Sequence, residues 1–150
     1  MRRLIRFLFK FALVWIALWL IGRFASKALE GETTPDDDEF KVAGFLGGRA
    51  VVSRAKSLRR ATVQAIVGGI DLDLRGATLA SAGAHLSLKV TAGGIRVSVP
   101  PTWKVYVAEE VMGGAVEVDV PDPNELADDA PTLTVEAVAR SGGIVIEAIE

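Results

Sequence analysis

The stretch VGGIDLDLRGATL, residues 67–79, decides the fold. After the pair Gly68-Gly69, the apolar side chains of Ile70, Leu72 and Leu74 alternate with Asp71, Asp73 and Arg75. Strict alternation of this kind marks a strand with one buried and one solvated face. Before the pair, Ala61, Val63 and Ala65 alternate in the same way. The glycines permit backbone angles that a residue with a Cβ resists, so the chain turns a corner between two strand halves. The unit is therefore strand, Gly-Gly corner, strand, looser connection.

The unit recurs. Gly-Gly pairs stand at 47–48, 68–69, 93–94, 113–114 and 142–143. Ile95, Val97 and Val99 follow the third pair, Val116, Val118 and Val120 the fourth, and Ile144 and Ile146 the fifth. Leu86, Leu88 and Val90 precede the third pair, and Val135, Ala137 and Ala139 the fifth. After the first and fourth pairs the phase slips by one residue, which turns a core face outward unless a bulge absorbs it. One such unit is too small to bury its own apolar face, whereas stacked units share a continuous core. The expected fold is all-β: a small β-solenoid, single-stranded and β-helix-like. A sandwich also fits the length and strand number, but the tight Asn-Gly or Asp-Gly hairpin signal is missing.

Composition narrows the function. The chain of 150 residues has no Cys, one His and one Tyr. Disulfides and thiolate metal sites are thereby excluded, and catalytic side chains are scarce. Residues 1–30 carry six basic side chains and one acidic one, while the remainder carries 11 basic and 18 acidic. An acidic body argues against general nucleic-acid binding. A basic, apolar head on an acidic body reads as a membrane anchor with a soluble domain.

Residues 11–22, FALVWIALWLIG, carry no charge. Extended over residues 4–24, with Arg6 and Lys10 snorkelling, the stretch reaches the length of one transmembrane helix. Trp15 and Trp19 share a face of it. Ser26 and Ala28 also fit a signal-peptide cleavage site, but the bulky, basic Gly22-Arg23-Phe24 favours an uncleaved anchor over residues 1–29. Four basic residues precede the span and two follow it, which favours a single pass through the cytoplasmic membrane with the body on its outer, periplasmic face. Residues 30–40, EGETTPDDDEF, read as an acidic, solvated linker. Asp36, Asp37, Asp38 and Glu39 lack the alternating acids and central Gly of a calcium loop. The domain itself is expected over residues 41–150.

The runs VGGIDLDLRGATL (67–79), TAGGIRVSVPPTWKV (91–105) and VMGGAVEVDVP (111–121) resemble the C-terminal domain of LiaF-like cell-wall-active antibiotics response proteins, grouped with the toastrack β-solenoids. The matching residues are Gly68, Gly69, Asp71, Leu72, Asp73, Leu74, Arg75 and Ala77, then Gly93, Gly94, Val99, Pro100 and Trp103. The resemblance implies a bacterial envelope protein, related to modulators of sensor kinases that respond to wall damage. Many members carry several membrane helices, whereas this chain offers one. The resemblance implies no catalytic residue, and neither a metal nor a cofactor is expected from the residues themselves.

Asp71, Asp73 and Arg75, at i, i+2 and i+4, are expected on the outward face of a strand, as a recognition patch or a plain solvated face. Trp103 follows Pro100-Pro101 and either caps the core or joins that contact surface. Arg54, Lys56, Arg59 and Arg60 form the basic cluster of the body, read as a solvated loop or a contact to anionic headgroups. His85 is expected to point outward. No Ser-His-Asp order, P-loop, dinucleotide fingerprint or zinc spacing occurs. The expectation is a non-catalytic interaction domain at the membrane, in envelope-stress sensing or regulation, with a sensor kinase or a second copy as partner. A self-assembling scaffold and a lipid- or ligand-binding module are the alternatives.

Overall fold

The computed structural model describes residues 12–20, 23 and 33–150. The chain divides into a unit of residues 1–30 and a unit of residues 31–150. In the first, residues 12–20 are helical, and Trp15 and Trp19 are exposed. The guanidinium of Arg23 lies 5.3 Å from the centre of the Trp19 ring. Among the described residues no helix is long and apolar enough to cross a membrane. The expected span of residues 4–24 and the cleavage site at Ser26 and Ala28 lie largely or wholly outside the described residues.

The second unit is all-β and parallel throughout. Its strands are β1 (Glu39–Val52), β2 (Arg60–Asp73), β3 (Ala84–Val99), β4 (Lys104–Val111), β5 (Gly114–Asp119), β6 (Thr132–Ala139) and β7 (Gly142–Ala148), with a 3-10 turn at Pro123–Glu125 between β5 and β6. Each of β1, β2 and β3 runs through a Gly-Gly corner as one continuous rung, while β4–β5 and β6–β7 are rungs that break at theirs. The alternation read from the sequence is the alternation of burial. Ala61, Val63, Ala65, Ile70, Leu72 and Leu74 are buried, and so are Leu86, Leu88, Val90, Ile95, Val97 and Val99. Val135, Ala137, Ala139, Ile144 and Ile146 complete one shared apolar column set.

The stack does not follow chain order. β1 pairs with β2, and β2 with β3, but β3 then pairs with β6 and β7. The fourth rung, β4–β5, lies beyond the fifth, pairing with β6 and β7 on their other side. The chain leaves the stack after β3, lays down β4–β5 one place too far out, and fills the gap with β6–β7. Read in space, the rungs run first, second, third, fifth, fourth. Period and alternation specify that each rung stacks, but not on which neighbour.

One glycine of each rung forms a column down the corner. A Cβ built on Gly68 would overlap the carbonyl oxygen of Gly47, one on Gly93 that of Gly68, one on Gly142 that of Gly93, and one on Gly114 that of Gly142. The second glycines differ: at Gly69 and Gly94 the nearest neighbours stand at ordinary contact distance. This column explains the phase slips. In the fourth rung Gly114 takes the column place that Gly142 takes in the fifth, so Val116 falls beside Ile144 in phase and no bulge is needed. In β1 the register shifts between Gly44 and Gly48, where Leu46 has a left-handed φ of 53°. That bulge restores the phase, and Val51 lies inward beside Leu72.

The acidic linker is shorter than the sequence suggests. The Ser53 hydroxyl donates to the Pro35 carbonyl at 2.6 Å, and the Arg54 N–H donates to Asp36 Oδ1 at 2.7 Å. The Arg59 N–H donates to the Asp38 carbonyl at 2.7 Å. Residues 33–38 are thus fastened to the loop after β1, and the strand itself starts at Glu39 rather than at 41. An acidic stretch unable to bury apolar surface still orders here, because a neighbouring loop supplies donors for its carbonyls and carboxylate.

Candidate functional site

The predicted polar patch is split. Asp71 and Asp73 project from the outer face of β2, but β2 ends at Asp73, so Arg75 stands in the turn beyond it. From there Arg75 folds back on Asp73. Its Nε donates to Oδ1 at 3.0 Å and its Nη2 to Oδ2 at 2.8 Å, while Nη1 donates to the Glu150 carbonyl at 3.1 Å. The forked hydrogen bonds of Arg75 hold the Asp73 carboxyl below the usual carboxylate range, against a smaller opposing effect of burial. Asp71 lies beside Arg96 in the ladder, and Arg96 reaches Glu147 at 3.8 Å. This face is a charge-paired strip along the stack. Most of the charge of Asp73 and Arg75 is spent within the domain.

Trp103 is buried, 4% exposed, within the main core. Of the two sequence readings the core reading holds, and the ring is not offered to a partner. It sits after the Pro100-Pro101 turn, where the chain leaves the third rung for the fourth.

The basic cluster is spread over a loop. Arg54 and Lys56 are exposed between β1 and β2, Arg59 ends that loop, and Arg60 opens β2. Arg59 lies 3.8 Å from Glu39, and the Arg54 backbone is bound to Asp36. The cluster therefore faces the ordered acids of residues 36–39, which lowers the positive potential it offers an anionic surface. His85 points outward from β3, as expected, and lines an open groove with Arg60, Thr62, Ser87, Thr134 and Glu136. Among the described residues no group of three or more His, Cys, Asp or Glu side chains is placed to hold a metal ion.

The two ends of the stack are unlike. At the β1 end the chain covers its own edge. The Thr33 hydroxyl accepts from the Lys41 N–H at 2.8 Å, the Thr33 N–H donates to the Lys41 carbonyl at 3.1 Å, and Arg49 Nη1 donates to the Ala43 carbonyl at 2.9 Å. The outward backbone groups of Lys41 and the Ala43 carbonyl, in the first half of β1, thus have partners from the chain itself. At the other end lies β4–β5. The Lys104 N–H donates to Pro131 and the Met112 N–H to Ala139. Even-numbered residues of β4 therefore turn their backbone groups toward β6, and Val105, Val107, Glu109 and Val111 turn theirs away from the sheet. Tyr106, Val111, Met112 and Val118 are exposed along this rung, Met112 by 71%.

The sequence reading passed over this edge. β4–β5 becomes an edge only because β6–β7 inserts between it and β3. One signal was present. In KVYVAEEV the inward positions read Val105, Val107, Glu109 and Val111, and a carboxylate in an apolar phase is what an edge strand carries. Against this geometry, comparison with known proteins is silent: no protein-family model, no curated protein and no solved structure matches the chain.

Proposed function

We propose that this chain is a membrane-anchored envelope protein whose small β-solenoid is a non-catalytic interaction domain in envelope-stress sensing or regulation. In this reading residues 4–24 form one transmembrane helix with the domain on the outer face of the cytoplasmic membrane. The mechanism is contact: the domain binds a membrane partner, such as a sensor kinase, differently in its two states and so biases their balance. The supporting observation is a difference between the two edge strands: the first half of β1 is bound by Thr33 and Arg49, whereas β4 turns the backbone groups of Val107, Glu109 and Val111 away from the sheet beside the exposed Glu109 and Glu110. An uncovered edge is a template for another chain, which folded proteins normally blunt. The sequence resemblance to LiaF-like proteins supports the envelope setting. Head-to-tail self-assembly through β4 is disfavoured, since it needs the first half of β1, where Lys41 and Ala43 are already bound. The headgroup reading is weakened by the acids facing the basic loop.

The test is crosslinking in membranes from a photoreactive residue at Met112, with captured species identified by mass spectrometry, with and without a wall-targeting antibiotic. The proposal expects an envelope protein whose yield changes with the drug. Capture of the chain alone, indifferent to the drug, contradicts it.

A further inference from the structure

The charge of the domain is concentrated at its open end. Residues 104–131 hold eight acidic side chains and one basic, Lys104, whereas the rest of residues 33–150 holds nine acidic and ten basic. Glu109, Glu110, Glu117 and Asp119 lie on β4–β5 itself, all exposed. The loop between β5 and β6 adds the other four. A second copy docking through the same edge would bring like charge against like. The part of β1 that would meet β4 of a second copy, at Lys41 and Ala43, is covered by Thr33 and Arg49.

We propose that β4 is the docking edge for an extended, basic segment of a different protein, added to the sheet as a further strand. The inference rests on the interaction reading above and names the chemistry of the partner. Outward backbone groups at Val107, Glu109 and Val111 supply the hydrogen bonds of strand addition, while Val105 at the start of the strand is buried. The side chains set the sequence. Val107 and Val111, on the inward side, ask for apolar residues beside them, and Glu109 on the same side asks for a cation. Glu110, on the outward side, asks for a second cation adjacent in sequence to the first. The segment therefore reads apolar, any residue, basic, basic, apolar if it runs parallel to β4, and the reverse if antiparallel.

The test uses the full-length chain in non-ionic detergent and labelled eight-residue peptides, read by fluorescence anisotropy. The probe is Ser-Val-Thr-Lys-Lys-Val-Thr-Val. The controls are the same peptide with Glu for both Lys, and one of unchanged charge with Pro for the Thr that precedes the two Lys. The probe binds, the Glu peptide does not, and the Pro peptide binds about tenfold more weakly, as expected for loss of a backbone hydrogen bond and strand geometry. Glu109→Pro removes one outward N–H and one charge at a position where an edge strand tolerates proline, so it weakens the probe by at least about tenfold with an unchanged melting curve. Glu109→Lys weakens it with the N–H intact. Absence of probe binding, or equal binding of the Pro peptide, overturns the proposal. Sedimentation showing concentration-dependent assembly of the chain alone, abolished by Glu109→Pro, assigns the edge to a second copy and also overturns it. Drug-dependent capture from Met112 without probe binding refutes the partner chemistry alone. Probe binding without such capture refutes the envelope reading and leaves the docking edge standing.

Discussion

Replacing Gly93 by Ala probes the corner column at its centre. Gly93 has a φ of 129°, in a region that L side chains rarely adopt, and its new Cβ would overlap the Gly68 carbonyl. Backbone strain of this kind costs about 1–3 kcal/mol. The overlap with a backbone atom is not relieved by rotating a side chain, so the second and third rungs must separate locally. Each ladder hydrogen bond lost there adds about 1 kcal/mol. A loss of about 3 kcal/mol or more is expected, which lowers the melting temperature of a domain this size by roughly 10 °C. Gly94, one residue on, is the internal control. Its Cβ would meet the Gly143 carbonyl at 3.6 Å, an ordinary contact, and its φ lies outside the left-handed region. Gly94→Ala should be neutral or stabilising by up to about 1 kcal/mol, through lower entropy of the unfolded chain. Urea unfolding followed by far-ultraviolet circular dichroism measures both. Equal effects of the two substitutions, or a tolerated Gly93→Ala, would refute the column.

Three further outcomes follow from the same geometry. Deleting residues 132–150 takes away the rung that carries β4–β5, so the truncated chain should lose the cooperative unfolding of the intact domain rather than keep a four-rung stack. Ser53→Ala removes the donor to the Pro35 carbonyl and should cost about 1 kcal/mol, with faster hydrogen exchange at the Arg54 and Arg59 amides. Arg75→Gln should raise the Asp73 pKa toward the ordinary value in an NMR titration. In the wild type the depressed Asp73 pKa contributes stability that is complete above the unfolded carboxylate range and is lost as pH falls through the lower folded value. The substitution should therefore remove that part of the acid sensitivity, and an unchanged Asp73 titration would contradict the pairing.

Much of the domain was legible in residue order because its causes are local. Alternation at 61–65, 70–74, 86–90 and 95–99 is the direct imprint of a sheet with one face in the core, and the buried residues are those the period selects. The Gly-Gly pairs mark true corners. What the sequence withheld is non-local. Nothing in 104–148 says that β6–β7 stacks on β3 while β4–β5 waits outside, because Ile144 and Val116 suit an apolar column equally well. The fastening of Pro35, Asp36 and Asp38 to the Ser53–Arg59 loop depends on donors that come into reach only once β1 pairs with β2. The return of Arg75 onto Asp73 follows from a strand that stops two residues before the alternation does. The open edge inherits the same difficulty: Glu109 is an ordinary surface acid until the rung order makes its strand the outermost one.

That rung order is the central claim, and the absence of Cys from the chain makes it directly measurable. Ser87, Glu136 and Ala108 face outward on β3, β6 and β4, with Ser87 opposite Glu136 and Glu136 opposite Ala108. Neighbouring strands lie about 4.8 Å apart, within disulfide reach, and next-nearest strands about twice that, beyond it. Three double variants of the full chain, oxidised under native conditions and mapped by peptide mass spectrometry, decide the question. The account predicts disulfides for Ser87→Cys with Glu136→Cys and for Glu136→Cys with Ala108→Cys, and none for Ser87→Cys with Ala108→Cys. A disulfide in the third variant, with none in the first, would place β4 against β3 in chain order and contradict both the inserted rung and the open edge that depends on it.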